Sequence, residues 1–330
     1  MKRHGSDEGW PKEKSMSHSV NSDRKAVMID GVVPIIPTPF RAGSEDVDLE
    51  ALARLVDFAA GLDLAAICLP AYGSEFYKLT EAERFLVVEH AVRAANGRVP
   101  VIAQSNHPSA RLAADIARRN ADLGADLISF AIPRLFSLTL ADLVDYCATI
   151  CDAVTLPVLI QDFNPGGPTI EASFCVRLRE RSPNFRYLKL EEPLMAPKVT
   201  TILEATGGEV GILEGWGGMY MLELLPVGIC GLMPGLGASD LLARIWRLGR
   251  AGQVEAALDL FERILPQLVY SLQNMELFLH LEKRLLVARG VISDPTVRRA
   301  TYTPSAEVLT HGDLLNRRVL ATIETLRPES

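Results

Sequence analysis

The sequence has no uninterrupted apolar stretch approaching ~18 residues, so no segment reads as a membrane-spanning helix. It has no surplus of basic charge either. The 34 Lys and Arg stand against 41 Asp and Glu, a net charge of −7 that offers no footprint for nucleic acid. Cysteine is sparse and odd in number, at five, and most of the five sit inside apolar stretches; this reads as reduced thiols in a cytoplasmic protein. Cys147 and Cys151 are four apart, and no histidine pair accompanies them, which argues against zinc. Met1 to Ala26 are polar and charged and lack the apolar core of a secretory signal. We read residues 1–27 as a disordered extension, a tag or an upstream start, outside the fold.

What is present is a repeating unit. From Met28 onward a short apolar run, a loop and an amphipathic helix recur. The runs are Val32–Ile36, Ala65–Leu69, Val99–Ala103, Leu127–Ile132, Pro157–Ile160, Tyr187–Leu190, Val210–Leu213 and Gly228–Met233. Continuous apolar runs this short suit parallel strands covered on both faces. Leu49, Leu52, Leu55, Val56 and Ala59 share one helix face, and Leu112, Ile116 and Leu123 with Ala113 and Ala117 share another. Asp48 stands as a cap before Leu49, and Thr80 with Glu83 has capping-box spacing.

Eight such strands alternating with helices fit a (β/α)8 TIM barrel over residues 28–250. A doubly wound sheet would want a Gly-rich turn after the first strand, and the sequence has Pro37-Thr38-Pro39-Phe40 there. Residues 251–330 read as a C-terminal helical extension packed on the barrel. Within it, Leu258, Phe261, Ile264, Leu265 and Leu268 form one stripe, and residues 274–288 form another apolar helix.

In a barrel, chemistry sits at the C-terminal ends of strands. The sixth strand, Arg186-Tyr187-Leu188-Lys189-Leu190-Glu191, is the sharpest candidate. If Leu188 and Leu190 face the helices, Lys189 and Glu191 both point into the barrel mouth. Taking a lysine amine out of water favours its neutral form, which attacks carbonyls. A buried Lys–Glu ion pair without chemistry satisfies the same spacing.

Short motifs along the chain add to this. Gly31-Val32-Val33-Pro34-Ile35-Ile36-Pro37-Thr38-Pro39-Phe40, Asn96-Gly97-Arg98-Val99-Pro100-Val101, Leu123-Gly124-Ala125-Asp126, Thr155-Leu156-Pro157-Val158 and Tyr187-Leu188-Lys189 follow one another in order. In these the chain resembles the dihydrodipicolinate synthase and N-acetylneuraminate lyase family of class I aldolase barrels, from Gly31 to about Arg299. The resemblance implies that Lys189 forms a Schiff base with a 2-oxo acid. It also implies a homotetramer, a small-molecule substrate and no metal or organic cofactor, because the lysine itself is the electron sink.

Two departures matter. The family's Gly-Thr-Thr-Gly-Glu after strand two, which holds the keto acid's carboxylate, is here Ala71-Tyr72-Gly73-Ser74-Glu75. That makes Tyr72, Gly73, Ser74 and Glu75 the candidates for substrate binding, against the plain alternative of a tight turn. On strand five the family's proton-relaying tyrosine is replaced by Gln161, whose amide does not exchange protons near neutral pH. Gln161 thus becomes a substrate-binding candidate, and the proton work falls first to Glu191 and then to Glu75 or Tyr72. Ile160-Gln161-Asp162, Ser74-Glu75, Asn106-His107-Pro108-Ser109, Lys189-Leu190-Glu191 and Glu214-Gly215-Trp216-Gly217 resemble the L-2-keto-3-deoxyarabonate dehydratases within the family.

His107 is a candidate substrate contact or a loop cap. Arg134 is a candidate anion holder, and Gly215-x-Gly217-Gly218 and Gly235-x-Gly237 are candidate phosphate loops or tight turns. The leading expectation is dehydration of a 2-keto-3-deoxy sugar acid. The alternatives are a pyruvate-dependent aldolase, a 4-hydroxy-tetrahydrodipicolinate synthase-like enzyme, or a catalytically silent ligand-binding barrel.

Overall fold

The computed structural model describes residues 28–164, 166–299 and 302–326; the expectation for residues 1–27 lies outside the described residues. Eight strands alternate with helices: β1 (Gly31–Val32), β2 (Ile67–Leu69), β3 (Val101–Gln104), β4 (Leu127–Ala131), β5 (Val158–Asp162), β6 (Phe185–Leu190), β7 (Gly211–Glu214) and β8 (Gly231–Leu232). All neighbouring pairs are parallel, in the order β1-β8-β7-β6-β5-β4-β3-β2. The ring closes between β2 and the chain just beyond β1. There Ala65 N donates to Val32 O (2.9 Å), Cys68 N to Pro34 O (3.0 Å) and Ile36 N to Cys68 O (3.0 Å). The fold is the (β/α)8 barrel that the alternation predicts.

Regular pairing is shorter in β1 than the apolar run Val32–Ile36 implies. Pro34 and Pro37 carry no N–H, so past Val32 the chain keeps single bonds only, such as Ile35 N to Pro234 O (2.8 Å). β8 is likewise reduced to Gly231–Leu232, because Gly228 (φ 102°) ends a 3-10 turn and Pro234 follows close behind.

Strand parity divides the core into two layers. Ile102, Leu159, Tyr187 and Leu213 fill the barrel interior, whereas Ile128, Ile160, Leu188 and Ile212 face the helices. The helical layer begins α1 (Leu49–Ala60), α2 (Glu81–Ala95), α3 (Ala110–Asp122) and α4 (Leu140–Cys151). Asp48 caps α1 by accepting from Glu50 N and Ala51 N, and Thr80 and Glu83 make the reciprocal capping box of α2. On α3 the buried face is Ala113, Ala114, Ile116 and Ala117. Leu112 is corrected to the outside, 46% exposed, because the small alanines sit against the strands one position later.

The layer continues with α5 (Ala172–Arg181), α6 (Ala196–Ala205), the single turn α7 (Met221–Leu224) and α8 (Ser239–Arg250). Three more helices follow: α9 (Val254–Ser271), α10 (Met275–Ala288) and α11 (Ala306–Thr325). α9 packs between α8 and α11, burying Ala257, Phe261, Ile264 and Leu268, while Leu258 is 37% exposed. α10 turns back onto the 3-10 turn Tyr72–Ser74 after β2. Leu285 of α10 and Val319 of α11 belong to the same apolar cluster as the helix-facing strand residues. The extension thus shares its core with the barrel.

That continuity has a measurable consequence. Leu285→Ala removes a fully buried side chain from the shared core and is expected to lower the unfolding free energy by about 2–5 kcal/mol. Urea unfolding should show it as a lower midpoint with an unchanged slope. A midpoint equal to the parent's would mean that α10 is not part of the cooperative unit.

Candidate active site

Parity along β6 sends Tyr187 inward, Leu188 outward and Lys189 inward, and the chain then carries Glu191 over the strand end. Lys189 Nζ lies 2.8 Å from Glu191 Oε1, with both side chains 7% exposed. Gln161 stands directly beside Lys189 on β5, and its Nε2 donates to both Glu191 oxygens, at 3.2 and 3.0 Å. Burial pushes the Glu191 carboxyl above its ordinary range; the Lys189 charge and the Gln161 and Lys189 hydrogen bonds oppose that push without cancelling it. Gly215 is required here, since a Cβ on it would collide with the Glu191 side chain.

Lys189, Glu191 and Gln161 line a narrow cavity together with Tyr72, Gly73 and Gly235. Its roof comes from the α9–α10 turn through Leu272, Met275 and Phe278. Tyr72 stacks obliquely on Phe163, with centroids 5.2 Å apart, and meets Phe76 edge-on at 5.0 Å. Its phenol titrates above the ordinary range, mainly because it is buried and secondarily because the Glu191 charge is near. Gly73 is pressed between Ile35 and Phe278; a Cβ there would sit 3.0 and 3.2 Å from them.

Of the residues singled out by sequence, the structure gathers Tyr72, Gly73, Gln161, Lys189 and Glu191 around one space. Ser74, Glu75 and His107 are used elsewhere. The Ser74 hydroxyl donates to Ile36 O (2.6 Å), and its backbone N–H donates to Ala71 O (2.9 Å). Glu75, at φ 61°, points away into a buried charge cluster with Lys78 (2.9 Å) and Lys283. Lys78 also pairs with Glu276 (2.8 Å), so the cluster binds the turn after β2 to α10. Burial lowers Lys283 to about 8 against the opposing pull of Glu75. His107 Nδ1 accepts from Ser109 N (2.9 Å), which makes it a loop cap outside the cavity lining.

Arg134 pairs with the buried Asp162, which in turn accepts from Ile170 N (2.6 Å), so its charge is already committed. The two glycine turns weighed as phosphate loops are also occupied, but by the chain's own carboxyl groups. Glu214 accepts from Trp216 N (3.0 Å) and Gly218 N (2.6 Å), and Glu282 accepts from Gly237 N (2.6 Å). The phosphate reading is corrected: carboxylates fill both nests. Among the described residues, no group of three or more His, Cys, Asp or Glu side chains is placed to hold a metal.

Sequence reasoning left Gln104, Asn106, Lys283 and the roof without roles. Gln104 follows inward-facing Ile102 by two positions, the same parity that places Gln161 two after Leu159, so its orientation was legible. Lys283, inside the apolar stripe of α10 with Leu279, Leu281 and Leu286, was a visible anomaly; its partner was not.

A family model described as the dihydrodipicolinate synthetase family matches residues 28–311. An L-2-keto-3-deoxyarabonate dehydratase of Azospirillum brasilense is 28% identical over 272 residues, covering 81% of this chain and 87% of that protein. A probable 2-dehydro-3-deoxy-D-pentonate aldolase of Escherichia coli is 29% identical over 133 residues, covering 40% of this chain and 44% of that protein. The solved dihydrodipicolinate synthase of Rhodopseudomonas palustris superposes with a TM-score of 0.81 at 24% identity, over 88% of this chain and 97% of that one; this likeness concerns the fold. The chain belongs to the dihydrodipicolinate synthetase family and is an enzyme of the lyase and aldolase type acting on a small molecule. No helix among the described residues is long and apolar enough to cross a membrane.

The filled nest of β7 sets a pH dependence. Burial outweighs the backbone N–H bonds and raises Glu214 from 4.5 to about 7. The folded state therefore binds this proton more tightly than the unfolded chain does. Its stabilising contribution is complete below about 4.5 and is lost as pH rises through about 7. Glu214→Gln should flatten the fall of unfolding free energy across that window by up to roughly 1.4 kcal/mol per pH unit, measured by urea unfolding against the parent. Parallel curves for the two proteins would contradict it.

Proposed function

We propose that this member of the family dehydrates a 2-keto-3-deoxy sugar acid through a Schiff base on Lys189. The observation that carries the reading is the Lys189–Glu191 contact of 2.8 Å at the floor of the cavity, with an amide rather than a phenol beside it on β5. The dehydratase similarity over 81% of the chain supports the same chemistry.

Lys189 Nζ adds to the C2 carbonyl, and water leaves to give an iminium. Its positive nitrogen draws electrons from the C3–H bond. Glu191, whose proton affinity is raised by burial, removes the C3 proton and leaves an enamine. The enamine nitrogen's lone pair then re-forms C=N, the C2=C3 electrons shift to C3=C4 as the C4–O bond breaks, and the leaving hydroxide takes the proton that Glu191 holds. Hydrolysis of the unsaturated iminium frees Lys189 and a 2-oxo acid with its carbon skeleton intact. In this reading the substrate carboxylate lies against the turn after β2, where Tyr72 and Gly73 line the cavity. In a pyruvate-dependent aldolase the same iminium would instead take up the C3–C4 bonding electrons as the C4 hydroxyl is deprotonated, releasing an aldehyde and leaving the enamine of pyruvate on Lys189. The similarity to the Escherichia coli aldolase, over a shorter span, keeps that as the second reading.

Borohydride reduction in the presence of 2-keto-3-deoxy sugar acids should trap an adduct on Lys189, located by mass spectrometry, with product of unchanged carbon number. An aldehyde plus pyruvate would select the aldolase. Absence of any adduct across sugar acids and pyruvate would overturn the Schiff base. Glu191→Gln should still be trapped while kcat falls about 10²–10⁴-fold. The proposed homotetramer should sediment at about four times the 36.1 kDa chain mass.

A further inference from the structure

Glu191 is approached by more than its immediate partners. Gln161 Oε1 accepts from Gln104 Nε2 (2.9 Å), Gln104 Oε1 accepts from Asn106 Nδ2 (3.0 Å), and Asn106 Oδ1 accepts from the backbone N–H of Ala131 (2.6 Å). Three amides from β3, its following loop and β5 thus run in series to the carboxylate. Gln104, Asn106 and Gln161 are 3%, 7% and 2% exposed, so the series has little access to water that could reverse a link.

A single carboxamide can turn over and exchange its oxygen and nitrogen at little geometric cost. This series cannot, because one end is a main-chain N–H that only donates. With Ala131 donating, Asn106 must present its oxygen there and its nitrogen to Gln104. Gln104 must then present its nitrogen to Gln161, and Gln161 its nitrogen to Glu191. Reversal of any one link would set two oxygens or two N–H groups face to face in a buried site.

We infer that Gln104 and Asn106 are positioning residues: they lock Gln161 as a double donor and so hold Glu191 as a proton acceptor whose open lone pairs face Lys189 and the substrate. The inference rests on the reading of Glu191 as the base. It also gives Gln161 a purpose other than a proton relay, because it dictates which face of Glu191 the proton occupies. The other ionisable groups near Glu191 are Lys189 on β6, Tyr72 from the turn after β2, Asp162 on β5 and Glu214 on β7. None of them is part of the amide series.

One-atom changes invert the series from a distance. In Asn106→Asp one carboxylate oxygen still accepts from Ala131, and the other faces Gln104 and requires its nitrogen. Gln104 then offers oxygen to Gln161, and Gln161 offers oxygen to Glu191. Losing two N–H donors raises the proton affinity of Glu191. The acidic limb of the pH–kcat profile should move upward by about one unit, a roughly tenfold lower kcat on that limb, while borohydride trapping at Lys189 persists. Gln104→Glu, when ionised, makes the same inversion one link nearer. Gln104→Met removes the link without inverting it and should move the limb less.

Far-UV circular dichroism and urea midpoints select the variants that fold, and either inverting variant suffices. If both fail to fold, Gln104→Met alone decides: a limb at the parental pH overturns the proposal, and a smaller upward shift supports it. Folded Asn106→Asp or Gln104→Glu enzymes whose acidic limb coincides with the parent's would overturn it even if kcat fell. If the parent's acidic limb survives in Glu191→Gln, the reading of Glu191 as the base has failed instead.

Discussion

A carboxylate taken out of water needs donors, and most of the upper barrel is arranged around supplying them to Glu191. Removing a carboxylate from water costs several kcal/mol even after relaxation, and one lysine repays that only with good geometry and further hydrogen bonds. Lys189 provides the charge from the same strand, and Gln161 provides two N–H bonds from the neighbouring one. Gly215 clears the space at the end of β7 into which the side chain folds. Each requirement constrains a different strand end, and together they fix the register at which β5, β6 and β7 meet the cavity. The balance still leaves Glu191 with a raised proton affinity, the property a base beside an iminium requires.

The same need is met differently at the two neighbouring strand ends. After β7 and β8 the backbone curls so that several N–H groups converge, a geometry that elsewhere binds phosphate. Here the carboxyl groups of Glu214 and Glu282 fill those positions from within. The glycines at these turns make room for those side chains, although Gly215, Gly217 and Gly235 also border the cavity. At Gly235 the Glu282 carboxylate lies where a side chain would be, 2.6 Å from an added Cβ, and at Gly237 Leu285 and then Glu282 do, at 2.8 and 3.0 Å. The cavity therefore has one reactive charged centre, with rigid, self-neutralised turns around it.

Much of this was legible in the sequence where periodicity and function coincide. Alternation along Tyr187, Leu188 and Lys189 gave the inward lysine, and Asp48 and the Thr80–Glu83 pair marked helix starts that the structure retains. Glu75 illustrates what was not legible. Its neighbours in sequence place it at the site, but its partner Lys283 lies 208 positions away, and a long-range ion pair leaves no local signature. Arg134 and the glycine turns were ambiguous for the same reason: whether a cation or an N–H nest is available depends on what else has already filled it. Leu112 shows a smaller failure, in which a helical stripe of mixed alanine and leucine places the alanines, not the larger residue, against the barrel.

The roof over the cavity is made by Leu272, Met275 and Phe278, late in a chain whose proposed nucleophile stands at position 189. Translation proceeds from the N-terminus, and domains begin to fold as they emerge. A nascent chain that has emerged only as far as Arg250 already contains all eight strands, Lys189 and Glu191, but it lacks the roof and Lys283, the second of the two lysines that face Glu75. Vectorial synthesis thus supplies Lys189 and Glu191 before the residues that enclose them from water, and that enclosure waits for α10. Until α10 is made, the Lys189–Glu191 pair has no cover from water, and Glu75 has one lysine where the finished fold gives it two.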